Sequence, residues 1–417
     1  MTLKITHNIS SIDLSILILI LGITLIDTFN GILVMNDYFS ISKPYKFVIL
    51  IMMTLNLMLS HRINKYFILV FLCFSSFFIG YFYYFLGNGN FLLFVQNLIE
   101  STKYFIWPIS FIYFRAFFLK SYDRGLKLVW HIINFSYLIL LINIFIGLIG
   151  LGYQFYPAYD TGIKGFFFSG NEFSLLFVLL TWIKSWQLRI IGPKKYYAFI
   201  IFSLFLAFNI GSKTTILGVL AIFLVIQLSN ITVNLRKISP RRILIGFIGI
   251  LILPLVIWIF VISNKSYFND FILKRLEIYN YDLLTWFLSK RNLVAIDSLK
   301  KFDSLNIMSK YFGQGESSFQ NNMHMVELDF IDLMLNHGYI GLFLYSIIIL
   351  IFIKLLLKNY HLFPINKCVF YFYIIIILIL SNLSGHIINT GVPGFFMGML
   401  FSITFSSKEA LIKTRLL

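Results

Sequence analysis

Apolar runs of about twenty residues, separated by short polar links, recur along nearly the whole chain. They lie near 12–34, 46–60, 66–86, 92–118, 128–151, 171–188, 196–210, 213–229, 242–262, 330–353, 368–386 and 392–407. A run of that length spans a hydrocarbon core of roughly 30 Å as a helix. A closed barrel would show short alternating segments instead, so the pattern predicts an all-α polytopic membrane protein with about twelve transmembrane helices. It divides into helices 1–9 over 1–262, a long external loop over 263–329, and helices 10–12 over 330–417. Within the loop, the stretch beginning "FILKRLEIYNYDLLTWF" reads as two amphipathic helices. The least secure division falls at "NIGSK", between 196–210 and 213–229.

Composition supports the pattern. Of 417 residues, 59% are hydrophobic and 12% are charged, against about 25% charged in soluble domains. The N-terminal run shows no small-residue cleavage site before Asp27 and reads as a retained span. No inverted repeat of the transporter kind is visible by eye.

A net charge of +17 would suit a nucleic-acid partner, but its distribution argues against one. With the N-terminus cytoplasmic, 21 of the 34 basic residues fall in inside segments, as the positive-inside rule requires. Eight of the others sit in the long loop, where translocation ignores charge. Both termini are therefore expected in the cytoplasm. Cys73 and Cys368 lie in or beside spans and form neither a disulfide framework nor a metal site. No cofactor is expected.

Candidate chemistry gathers at the outer ends of spans. "MHMVELDFIDLMLNHGYIGL" (323–342) brings His324, Glu327, Asp329 and Asp332 to the mouth of the tenth span. On a helix His324 and Glu327 share one face, and Asp329 and Asp332 another. A carboxylate or imidazole at a membrane–water boundary has a tunable pKa, as a general base requires. The plainer reading is a solvated helix start with acids near the N-terminal dipole.

"FNIGSKTTILG" (208–218) places Lys213 beside Ser212, Thr214 and Thr215. Ser212 interrupts the Gly-Lys pair and no strand precedes it, which excludes a nucleotide loop. A helix-start lysine there suits a lipid-linked phosphate or simply snorkels. Arg275, Lys290 and Arg291 of the long loop offer further phosphate ligands, arginine's planar fork especially. "YDTGIKGFFFSGNEFS" (159–174) carries Lys164, Asn171 and Glu172, either as a sugar-binding edge or as a turn with interfacial aromatics. Glu100 and Lys103, three apart, are expected to neutralise each other. Asp27 has no evident partner.

Four of these stretches, in order, resemble the bacterial O-antigen polymerase and O-antigen ligase superfamily. They are "GFFFSGNEFSLLFVLL", "NIGSKTTILGVLAIFL", the Arg-led "RNLVAIDSLKKFDSLNIMSKYFGQGESSF" with Gly313 and Gly315, and "MHMVELDFIDLMLNHGYIGLFLY" with Gly338 and Gly341. The likeness covers about 165–345, and the span layout extends it. Lys213 stands where arginine is commoner, and Glu327 where ligases tend to carry histidine, which favours polymerase.

The resemblance implies an inverting, metal-independent glycosyltransferase of the membrane-embedded GT-C type in the bacterial cytoplasmic membrane. Its substrates would be undecaprenyl-diphosphate-linked oligosaccharides, and a chain-length regulator and a flippase would be partners. Lys213 and Arg291, then Arg275 and Lys164, would bind diphosphate. Glu327, then His324, would act as base with Asp329 orienting, and Asn171 and Glu172 would contact substrate. The alternatives are a ligase transferring polymer to lipid A–core and a lipid-linked oligosaccharide flippase or transporter.

Overall fold

The computed structural model describes residues 9–60, 65–156, 161–233, 290–317, 326–358 and 389–415, with single positions at 282, 285 and 288. The expected spans at 242–262 and 368–386, Arg275 and His324 lie outside the described residues. Twelve helices and one hairpin are described: α1 (Ser11–Met35), α2 (Ser42–Leu59), α3 (Lys65–Asn88), α4 (Phe91–Lys120), α5 (Tyr122–Leu148), β1 (Tyr153–Tyr156), β2 (Thr161–Gly165), α6 (Gly170–Ile191), α7 (Pro193–Ile210), α8 (Lys213–Val233), α9 (Arg291–Asp303), α10 (Ile307–Phe312), α11 (Asp329–Lys358) and α12 (Val392–Arg415). The chain is mostly helical. By length and composition α1, α3, α5 and α11 can cross a membrane.

Local chemistry sets the boundaries. Ser10 caps α1, its hydroxyl accepting from the Asp13 amide at 3.1 Å. Asn30 of α1 does the same for its neighbour: its amide oxygen accepts from the Ile41 and Ser42 backbone at 2.9 and 3.1 Å, where α2 would otherwise leave donors unsatisfied. The doubtful "NIGSK" break is real in the structure. Gly211 takes the left-handed conformation (φ 74°) that ends α7, and Ser212 accepts from the Thr215 amide at 3.1 Å to start α8.

The aromatic-rich α4 is the centre of the bundle, packing on α2, α3, α5 and α12, with residues 104–114 buried. Along α12, Gly394, Gly398 and Ser402 recur every four residues and face it. A Cβ on Gly398 would stand 2.7 Å from the Trp107 carbonyl oxygen, and Ser402 donates to the Phe111 carbonyl at 2.8 Å. Small residues at this spacing let two backbones approach where no water drives association. At one end of the bundle, the buried Asp13 carboxylate accepts from Asn56 of α2 (3.0 Å) and Tyr113 of α4 (2.9 Å), joining three helices.

The sequence suggested a polar helix running through 323–332 into the tenth span. Instead α11 starts at Asp329 and breaks at Gly338 (φ 68°, ψ −176°). The break makes room for the end of α10: a Cβ on Gly338 would lie 2.5 Å from the Tyr311 carbonyl carbon. Gly315 donates to the Asn336 carbonyl at 2.9 Å. Asn97 of α4 grips both sides of the same loop, donating to the Gln314 carbonyl (3.1 Å) and accepting from the Ser317 amide (2.8 Å).

Replacing Gly338 by Ala therefore meets both a left-handed backbone and a backbone contact, costing on the order of 1–3 kcal/mol. Thermal unfolding of the purified protein in detergent should show a lower midpoint for Gly338→Ala. Gly87→Ala, where an added Cβ touches nothing within 4 Å, should leave it unchanged.

Candidate functional site

Three helices deliver charge to one place. Asp27 lies about 12 Å back from the end of α1 at 1.5 Å per residue, Lys46 sits one turn into α2, and Glu172 is in the first turn of α6. The Lys46 ammonium is 3.0 Å from Asp27 and 3.2 Å from Glu172, and Ser42 donates to Asp27. Glu172 also accepts from the Gly391 and Val392 amides at 3.1 and 3.3 Å. It thus serves α12 as a helix-start acceptor. One lysine and two carboxylates hold α1, α2, α6 and α12 together.

A second cluster adjoins the first. Lys103 lies 2.6 Å from Glu316 and 3.8 Å from Glu100, while Lys43 pairs with Glu100. Glu100 and Lys103 do neutralise each other, within a larger set that also recruits α2 and the loop after α10. Both clusters border a cavity of about 260 Å³, lined among others by Asp27, Asn30, Ser42, Lys46, Lys103 and Glu172. Behind Lys103, His337 stacks face to face on Phe77 (ring centroids 3.8 Å apart) and its Nδ1 lies 2.8 Å from the Tyr81 hydroxyl.

The expected acid–base residues have a different setting. Glu327 is not on a helix; it precedes α11 with φ 60°, and its carboxylate pairs with Arg291 at the start of α9. Two residues expected in separate roles, base and diphosphate ligand, meet across 36 positions of sequence. Lys290, next to Arg291, also has φ 67°. Among the described residues only three that are not glycine take positive φ, and two of them are Glu327 itself and the Lys290 that precedes Arg291. Such conformations cost about 1–3 kcal/mol and concentrate at functional sites.

Asp329 and Asp332 do not form a solvated helix start. Each is about 2% exposed. Asp332 accepts from the Val326 and Leu328 amides at 3.1 and 3.0 Å, curling the Glu327 segment over the helix end. The reason is geometric: with the helix starting at Asp329, its first turn points under that loop rather than into water.

The remaining candidates spread out. Lys164 is nearly buried in β2 and donates to the Phe168 carbonyl at 2.8 Å; burial pushes its ammonium pKa down. It braces the hairpin loop. Asn171 and Glu172 open α6, and only Glu172 enters the charged cluster and the cavity wall. Lys213 opens α8, while the Ser212 hydroxyl turns inward onto those of Thr215 and Ser174 (2.7 Å to Ser174). Among the described residues no group of His, Cys, Asp and Glu side chains is placed to hold a metal ion. No protein-family model and no curated protein matches the chain.

Removing one member of a buried ion pair strands its partner, at about 3–5 kcal/mol. Lys46→Met leaves two carboxylates facing each other and should sharply lower the yield of monodisperse protein on size exclusion. Adding Asp27→Asn to Lys46→Met should recover part of that loss, because one stranded charge is removed.

Proposed function

We propose that the chain is a membrane-embedded polysaccharide polymerase that joins polyprenyl-diphosphate-linked repeat units at the outer face of the bacterial cytoplasmic membrane. What carries the reading is the Arg291–Glu327 pair at the mouth of α11, where Glu327 itself and Lys290, next to Arg291, hold left-handed backbone. In the proposed step a hydroxyl oxygen of the acceptor sugar attacks the anomeric carbon of the donor. The bond from that carbon to the diphosphate oxygen breaks with inversion, and the lipid diphosphate departs. Glu327 takes the hydroxyl proton, and Arg291 stabilises charge growing on the leaving diphosphate. Asp332, through the two amides it holds, positions Glu327.

The proposal includes about twelve spans in a GT-C-like arrangement, both termini in the cytoplasm, Lys213 as a second phosphate ligand, and a chain-length regulator and a flippase as partners. Ligase activity shares the donor and differs in the acceptor. The flippase reading draws its support from Asp27 and Lys103, each two turns or more from the near end of its helix, since transporters gather polar groups at depth. The one-ended position of the Arg291–Glu327 pair favours catalysis.

Surface polysaccharide from a strain lacking the gene, separated on a gel, should show lipid A–core bearing a single repeat and no ladder. Complementation with Glu327→Gln or Arg291→Ala should restore less than about 1% of the polymer, since a base or charge-stabilising group each contributes 10²-fold or more. Bare core with polymer retained on the carrier would indicate a ligase. A normal ladder from either variant, at normal protein level, would remove these residues from the chemistry.

A further inference from the structure

The helices α2 and α3 follow one another in the chain and both pack on α4, yet they make little contact with each other. Between them runs a groove of about 260 Å³ whose floor is buried (Phe67, Val70, Phe105) and whose rim is exposed (Ile51, Leu55, Phe71). Two threonines apart, every lining residue is aliphatic or aromatic. One of the threonines, Thr102, also lines the charged cavity. The exposed apolar groove and the polar chamber at the end of the bundle thus adjoin at Thr102.

The chamber's chemistry narrows its occupant. Its walls carry Lys43, Lys46 and Lys103 against Asp27, Glu100 and Glu172, so the formal charges cancel. A phosphate site needs an excess of donors and positive charge; this chamber offers ion pairs, hydroxyls and the amides of Asn30 and Asn389. Such alternating donors and acceptors match a ring of hydroxyls. Phe168, 42% exposed, stands in the same wall, and its π face can cover the weakly positive C–H face of a pyranose.

We propose that groove and chamber form one binding site for a glycolipid, with the hydrocarbon tail between α2 and α3 and a sugar ring against Phe168. The inference rests on the polymerase reading for preferring a glycan over other neutral polar heads. It assigns one uncharged glycolipid, distinct from the diphosphate-linked substrates of the proposed reaction, to a seat formed by α1, α2, α3, α4 and α6.

The test uses the full-length protein in phospholipid nanodiscs and an alkyl maltoside carrying a diazirine in its alkyl chain. A phosphatidylglycerol with the same diazirine serves as comparison. Photolabelling by the maltoside should map to 47–55 and 67–74 and be competed by excess dodecyl maltoside but not by excess phosphatidylglycerol. Phe168→Ala should weaken that competition about two- to tenfold, the range expected for losing one aromatic stacking contact. Ile51→Trp, filling the groove from its rim, should remove the labelling. Equal labelling by both probes, or labelling spread around the exposed apolar perimeter, would show only the lipid annulus and overturn the site. Because the readout is binding, a failed polymer-ladder test would sink the polymerase and leave this site standing.

Discussion

A charge drawn into a bundle of apolar helices has no water to solvate it, so a fold that contains one must bring it a partner. That constraint organises this molecule. Lys46 can sit in α2 only because Asp27 and Glu172 arrive from α1 and α6, and their arrival fixes how three helices cross. Glu172 then presents its remaining acceptor capacity to the start of α12. Lys103 imposes the same condition deeper along α4, and Glu316, from a loop far away in sequence, meets it. The cavity is what remains between groups that must be near one another yet cannot close-pack.

The loop carrying Glu316 is positioned by backbone rather than by charge. Gly338 opens α11 to admit the end of α10, and Asn97 holds the turn that follows. The same break limits the first segment of α11 to a short piece over which Asp332 folds the Glu327 loop. Strain at Glu327 and Lys290 is thus maintained by a framework of buried hydrogen bonds. This framework aims Arg291 and Glu327 at each other.

Much of this was legible in the chain. Hydropathy placed ten of the twelve described helices, most of their ends to within a few residues, and Gly211 with Ser212 marked the α7–α8 break. Asp27 stood out as a charge in a span, but its partner did not. Lys46 read as an ordinary basic residue at a span border, and pairing it with Asp27 required knowing that α1 and α2 meet there. A usable signal existed, since acid, base and acid lie near helix ends that alternation of the spans places on one side. Glu327 was expected on a helix because its neighbours are periodic, and only the buried Asp332 explains why the chain curls instead. Lys164 looked like an exposed loop cation, whereas in β2 it is buried and donates to the Phe168 carbonyl.

The central claim is that the charged chamber and the Arg291–Glu327 pair occupy the same, outer end of the bundle. Cysteine labelling in intact cells tests it most directly, using Lys43→Cys, Ile307→Cys and Ser60→Cys variants with a membrane-impermeant maleimide. The expected result is that the first two label in intact cells and Ser60→Cys labels only after permeabilisation. Labelling of Lys43→Cys and Ile307→Cys from opposite sides would contradict a single site, and labelling of both only after permeabilisation would place the chemistry on the wrong face.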